Sequence, residues 1–380
     1  MPENKAAFQP AKCAPAMEVR TAPYPKPGRG QIVIQNAAVA INPIDTLIQS
    51  KGNMMFTYLK YPFVLGYDMA GEVVAAGPGV TRLKVGDRVL GFSRAGDKNI
   101  NDPAQGAFQK FAVVYEYVAT ELPSFIDYEH AATLPLTLIT AGAALFDKAQ
   151  LGLPLPTEPR GAPNTAADGK PVVVVVWGAS TSVGCNAVQL AVAAGCEVLA
   201  TAGGRNRDAV LRLGASQVWD YRAASTAVDE IVRALAGRTL GGVVSIGAGA
   251  AEKCIQITTK ARVAAGSNRH VAMATFPMPE KEPQSFVMLR TVATFVSSLA
   301  SYSVRGAVRG FKWSLVDTGP TMENGVARHI FAEYLPKALA AGTFVPAPEP
   351  EVVGHGLEHV QTAFERLRGG VSFKKLVVTL

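Results

Sequence analysis

Residues 178–184 read Gly-Ala-Ser-Thr-Ser-Val-Gly, a run with no side chain larger than valine. Small side chains in a tight turn let an anionic ligand approach the backbone. A helix that starts there presents unpaired N–H groups and a partial positive charge. The chemistry this supports is the binding of a pyrophosphate, with Gly178, Ser180, Thr181, Ser182, Val183 and Gly184 around it. The three hydroxyls add donors that glycine lacks. An ordinary strand-to-helix turn has a similar composition, so the neighbouring chain has to decide. Five valines and a tryptophan at 172–177 precede the turn, a run apolar enough for a strand buried on both faces. A helix is expected near 183–194.

In a site for NAD, an acid about twenty residues further on binds the ribose 2′-hydroxyl. Here the corresponding stretch, LATAGGRNRD, places no acid at the strand tip and offers Thr201, Gly203, Arg205 and Asn206 instead. An arginine among small residues suits a 2′-phosphate, because its planar fork bonds two oxygens. NADPH is therefore the expected cofactor. For the substrate, Met54, Met55, Phe56 and Tyr58 form an apolar loop able to roof a pocket, although core packing is the commoner use of methionine. Phe276 follows the strand end AMAT, on the side of an open α/β sheet where ligands bind.

The elements that must position these residues fall into two kinds. Up to about residue 130 the chain is β-rich, with short runs such as QIVIQNAAVAI (31–41), AGEVVAAG (70–77), DRVLGF (87–92) and FQKFAVV (108–114) between Gly, Pro and Asp turns. Then HAATLPLTLITAGAALFDKA is helical in pattern, interrupted at Pro135, and 152–171 reads as a surface loop. From Val172 strands alternate with helical stretches, over RDAVLRLG and near 226–236 among others, which predicts a parallel, doubly wound sheet. A final helix and the strand KKLVVTL are expected to return to the β-rich part, because one strand cannot bury itself. The expected division is 1–136 with 317–380, and 137–316, in an α/β chain.

Composition narrows the class. With 380 residues, 48% of them hydrophobic, the chain is long enough for two cores. No uncharged apolar run is long enough for a membrane span, and the N-terminus lacks the apolar core of a signal peptide. The four cysteines are scattered, which suits reduced thiols and a cytoplasmic setting. A net charge of +7 spread along the chain favours anionic small molecules over nucleic acid.

The order of a β-rich part, a nucleotide-binding part and a C-terminal return resembles the medium-chain dehydrogenase/reductase superfamily. The matching stretches include AVAINPIDTLIQSKG (38–52), PFVLGYDMAGEVVAAGPGVTRLKVGDRVLGF (62–92), QGAFQKFAVV (105–114), AATLPLTLITAGAAL (131–145) and LEHVQTAFERLRGGVSFKKLVVTL (357–380). Within it the chain is similar to the zinc-free quinone oxidoreductase and enoyl reductase branch. GLPLP with the polar loop, and the threonine in GASTS, resemble the fungal trans-acting enoyl reductases. The resemblance implies a doubly wound parallel Rossmann sheet plus a β-rich GroES-like catalytic domain. It also implies an NADPH-dependent oxidoreductase of an activated C=C bond, belonging to secondary, polyketide metabolism. Its substrate would be a free or carrier-bound enoyl compound, and a polyketide synthase would be served in trans. A quinone or enone reductase, and a catalytically lapsed NADPH-binding partner of a synthase, are the alternatives. A monomer and a homodimer both fit.

The resemblance also carries site residues. Asn42 in INPID matches an asparagine beside the nicotinamide or substrate, although Asn-Pro starts turns on its own account. Thr140 in LITAG matches a threonine near the nicotinamide amide, and Tyr221 a tyrosine at the adenosine end of NADPH. Lys375 matches the lysine of a C-terminal Gly-Lys motif, with Phe373 where glycine is expected. For the proton donor, a family tyrosine follows the INPSD segment; Tyr58 and Tyr61 stand out of clean register with it. Zinc-dependent members need an early cysteine, a Gly-His-Glu motif and a four-cysteine lobe. The corresponding AINPIDT, GYDMAG and FSRAGDKNINDPAQ supply none of them, so no metal is expected.

Overall fold

The computed structural model describes residues 2–52, 56–277 and 287–380. Its first unit takes in Met1–Thr137 and Ala327–Leu380, its second Leu138–Val326. The first unit opens with β1 (Asn4–Gln9), β2 (Glu18–Ala22) and β3 (Gln31–Ala40), then α1 (Pro43–Lys51). Next come β4 (Phe63–Val64), β5 (Asp68–Ala76), β6 (Arg88–Phe92), β7 (Phe111–Tyr115) and β8 (Ala119–Glu121). Every pairing among these strands is antiparallel. β3 carries Ile32, Val33 and Ile34, all fully buried, and pairs with both β5 and β7. Helix α1 starts where Pro43 fixes its own φ at the first helical position, after Asn42 in an extended conformation. Short α2 (Tyr128–Ala132) ends before Pro135, which opens α3 (Pro135–Phe146).

The second unit is built on the valine run. β9 (Val173–Trp177) is the strand from which a parallel sheet grows to both sides, through β10 (Glu197–Ala202) to β11 (Gln217–Asp220), and through β12 (Leu240–Ser245) and β13 (His270–Met273) to β14 (Lys312–Leu315). The order is β11-β10-β9-β12-β13-β14, so the chain reverses direction of growth at β9. Val173 to Val176 are fully buried, about 1.5–3 kcal/mol of burial for each such side chain. The connecting helices are α4 (Ser182–Ala193), α5 (Arg207–Arg212), α6 (Ala224–Ala234), α7 (Ala250–Lys260) and α8 (Val287–Arg309). Neither α8 nor β14 is marked by the sequence pattern.

The return to the first unit begins at Ala327. β15 (Glu349–His355) runs parallel to β16 (Lys374–Thr379), and β16 lies antiparallel against β3, with Val378 opposite Val39. This completes a seven-stranded sheet. The pairing of β16 with β3 carries Lys375 to the end of β3 from which Asn42 and α1 continue.

Candidate functional site

The turn after β9 is shaped by two glycines and one hydroxyl. Gly178 has φ +87°, and a Cβ there would stand 2.4 Å from the Ile246 carbonyl oxygen. A Cβ on Gly184 would meet the Gly178 carbonyl oxygen at 2.3 Å, so helix and strand pack backbone to backbone. Thr181 is the N-cap of α4. Its Oγ1 accepts the Gly184 N–H at 3.0 Å and donates to the Gly178 carbonyl at 2.8 Å. This corrects one expectation: the Thr181 hydroxyl closes the turn on itself and is not a donor left over for a ligand. The N–H groups of Ser182 and Val183, first in the helix, have no intrahelical acceptor. Ser180, Ser182 and Val183 are all partly exposed. Thr201 braces the turn from behind, its Oγ1 accepting the Gly178 N–H at 3.1 Å and its carbonyl the Ala179 N–H at 2.8 Å.

At the tip of β10, Gly203 is buried, Arg205 exposed and Asn206 partly exposed. The expectation that no acid stands there is also corrected. Parallel pairing sets Ala202 of β10 beside Asp220 of β11. The Asp220 carboxylate accepts the Gly204 and Arg222 N–H groups, each at 2.9 Å. It is thereby spent as a clasp between two loops. Arg222, which sequence reasoning passed over, lies 6.0 Å from the centre of the exposed Tyr221 ring. A Cβ on Gly203 would be 3.3 Å from Arg222 Nη2 and 3.8 Å from Tyr221. Tyr221 and Arg222 thus stand beside a glycine without a side chain of its own, and Arg205 follows two residues after it in the chain.

In the first unit, Asn42, Asp45, Asp68 and Lys375 are brought together, each less than 5% exposed. The Lys375 ammonium donates to Asn42 Oδ1 and lies 3.0 Å from Asp68 Oδ2. The same Asp68 oxygen accepts from Asn42 Nδ2 at 2.8 Å, and Asp68 Oδ1 accepts the Leu136 N–H at 2.6 Å. The amide of Asn42 is therefore oriented by a cation on its oxygen and an anion on its nitrogen. Asp45 Oδ2 accepts the Asn42 N–H at 2.8 Å, while Asp45 Oδ1 is buried without a partner. Burial, reinforced by the nearby Asp68 charge, pushes the Asp45 carboxyl up to about 8.

Tyr58 donates its hydroxyl to the Gly96 carbonyl at 2.7 Å, and burial raises its phenol above the ordinary value. Phe56 packs edge-on to it, ring centres 6.2 Å apart. Thr140 is partly exposed on α3, and Phe276 lies 6.5 Å from Phe295 of α8. Met54 and Met55 lie outside the described residues. Among the described residues, no three His, Cys, Asp or Glu side chains group as metal ligands, and no helix is long and apolar enough to cross a membrane.

Residues 28–124 match the alcohol dehydrogenase GroES-like domain family. Over all 380 residues the chain is 50% identical to the dehydrogenase pigH of Monascus ruber, covering 100% of both chains. The chain belongs to the medium-chain dehydrogenase/reductase superfamily. Another member, the trans-enoyl reductase himH of Aspergillus japonicus, is 36% identical over 382 residues, covering 99% of this chain and 97% of its own. Among solved structures, an alcohol dehydrogenase superfamily protein from Novosphingobium aromaticivorans aligns with a TM-score of 0.72 at 25% identity, over 99% of each chain. Superfamily membership makes the chain an oxidoreductase with a nicotinamide-binding Rossmann part and a GroES-like part. The turn at Gly178 and the basic corner at Gly203 both lie in the Rossmann part.

Proposed function

We propose that this chain is an NADPH-dependent enoyl reductase of polyketide metabolism that works without zinc and serves a synthase in trans. The observation carrying the cofactor choice is the corner at Gly203. Arg222 stands beside it, Arg205 follows two residues later in the chain, and the Asp220 carboxylate is held by two backbone N–H groups. When bound, NADPH supplies a hydride to the β-carbon of an enone or enoyl thioester. This chain's own residues bind and orient. The Ser182 and Val183 N–H groups are the proposed pyrophosphate donors, with Arg205 and Arg222 at the 2′-phosphate. In the first unit Asn42 is the proposed residue at the nicotinamide end and Phe56 a proposed substrate contact; in the second unit Thr140 and Phe276 are proposed for the same two roles.

The chemistry of a conjugated double bond supports the absence of zinc from this scheme. The carbonyl oxygen gains charge only as an enolate, which hydrogen-bond donors can hold. The name of the himH relative, a trans-enoyl reductase, supports the enoyl substrate class.

The test is NADPH consumption with a panel of enones, quinones and enoyl thioesters, free and carrier-bound. Turnover on thioesters is expected, and binding without turnover on any class would overturn the reading. Arg205→Asp and Arg222→Asp should each weaken NADPH binding by about 1.5–3 kcal/mol while leaving NADH binding unchanged. Equal loss for both cofactors would take the two arginines off the 2′-phosphate, and no loss for either would remove the corner from the site.

A further inference from the structure

Helix α8 is apolar on both sides. Inward, Tyr302 is buried in the core of the second unit, Leu299 packs against that core, and the Tyr302 ring stands edge-on to Trp313 at 5.8 Å. Outward, Val292, Val296, Val304 and Val308 are 46 to 79% exposed, and Ala300 between them is exposed too. These five residues stand four apart without a break. In a helix that spacing makes one ridge of side chains, the kind that seats in the groove of another helix. A helix facing water carries polar residues there. Elsewhere among the described residues the large exposed apolar side chains, such as Val19, Val85 and Phe125, are scattered along the chain. Valine is stiff at χ1, so covering this ridge costs little side-chain freedom.

The charges on α8 narrow what can cover it. The helix holds Arg290, Arg305 and Arg309 and no acid. Arg305 is spent on Glu252, its Nη1 2.9 and 2.8 Å from the two carboxylate oxygens. Arg290 and Arg309 are exposed and have no acidic partner among the described residues. They close the two ends of the ridge, about 28 Å apart at 1.5 Å per residue. A second copy fits this badly. Two such ridges laid antiparallel about Ala300 would set Arg290 of each copy against Arg309 of the other, like charge on like. A ridge of that length and about 10 Å wide offers on the order of 300 Å². A standard stable interface takes roughly 800 Å² a side, so this patch holds its partner only briefly.

We propose that the outer face of α8 docks the protein domain that brings the enoyl thioester, a helical carrier whose contact helix is apolar along its middle and acidic at both ends. The inference rests on the reading of the chain as a reductase that serves a synthase in trans. A small contact suits a carrier that arrives loaded and leaves after each reduction. Opposite charge at the two ends of the ridge steers the encounter and fixes which way round the carrier lies, while the valines exclude water between them. The surface acts on delivery and not on chemistry, so a substrate without its carrier makes no use of it.

The test measures NADPH oxidation with one but-2-enoyl group presented on pantetheine and on a polyketide synthase carrier domain, together with binding of that carrier by isothermal titration. Val296→Asp with Val304→Asp puts acid on the ridge, and Arg290→Glu with Arg309→Glu reverses its ends. All four side chains are exposed, so both variants should unfold in urea as wild type does. Each should lose about 10-fold in kcat/KM on the carrier and in carrier affinity, and nothing on pantetheine. Val296→Lys with Val304→Lys should lose less than the aspartates, because its charge opposes the carrier's. Equal loss on both substrates, or loss on neither, overturns the proposal. With carrier kinetics unchanged, a wild-type dimer that the aspartates split gives the ridge to a second copy. Binding to phosphatidylserine vesicles that the aspartates abolish, again with kinetics unchanged, gives it to a lipid surface. A wild type that binds the carrier through α8 but reduces neither thioester refutes the reductase reading and leaves the docking face standing. One that binds no carrier overturns the docking face whatever it reduces.

Discussion

Asp45 is the residue whose surroundings depart furthest from what its type prefers. A carboxyl held at about 8 is neutral near pH 7, because burial removes the water that would solvate its charge. Its folded value lies above the unfolded one, so the folded chain binds a proton there that the unfolded chain releases. The stability this contributes is complete below about pH 4 and is lost as pH rises through about 8. Asp45→Asn keeps an oxygen for the Asn42 N–H but carries no titrating proton. Its unfolding free energy from urea titration should therefore gain on wild type by at most about 1.4 kcal/mol per pH unit between pH 5 and 8, then level off. A gap that does not change with pH would refute the burial argument. Lys375 makes the opposite case. Removing it as Lys375→Met strands the fully buried Asp68 and should cost about 3–5 kcal/mol in urea unfolding. Adding Asp68→Asn should recover part of that loss, and a double variant no better than the single one would show that the pair is not what matters. None of this was legible beforehand. Asn42 and Lys375 could be picked out of the sequence, but Asp45 was read only as part of INPID and Asp68 only as part of GYDMAG. Its burial depends on a strand 307 positions later in the chain, and no local pattern encodes that.

At the scale of elements, what could be read was whatever one segment decides by itself. The valine run made β9 because continuous apolar β-branched residues suit a strand covered on both faces. The turn after it was recognisable from small residues alone. The job of Thr181 was not, because a capping hydroxyl and a ligand-facing hydroxyl look identical in sequence. The structure makes the difference measurable. Thr181→Ala should cost about 1 kcal/mol of stability through the lost cap and leave NADPH affinity nearly unchanged. Gly184→Ala should abolish NADPH binding, since its methyl would overlap the Gly178 carbonyl. Isothermal titration of both variants checks the contrast, and equal losses would return the Thr181 hydroxyl to the ligand. Helix α8 was missed for a different reason. Leu289, Val292, Val296, Val304 and Val308 are exposed on it, so apolar residues mark its solvent side as well as its packed side and blur the helical period. Asp220 was missed at the tip of β10 because strand register across a parallel sheet is not written in either strand.

For the molecule as a whole, the two units provide an internal control on where the cofactor binds. All three tryptophans of the chain, Trp177, Trp219 and Trp313, belong to the second unit, and Trp177 ends β9 directly before the turn. Tryptophan emission therefore reports the unfolding of the second unit, while far-ultraviolet circular dichroism sums over both. A ligand that binds only the folded form stabilises what it binds, by about 2.7 kcal/mol at a hundred times its dissociation constant. With NADPH at that level the emission-detected urea midpoint should rise by the corresponding amount. Titrating NADPH into the native protein should also quench emission, because a reduced nicotinamide dinucleotide held at that turn lies close to Trp177. The first unit makes its own core and completes its sheet with β16, so it serves as the reference. If the emission midpoint stays where it was while the dichroism midpoint moves, the ligand sits on the β-rich unit and the turn after β9 is only a turn.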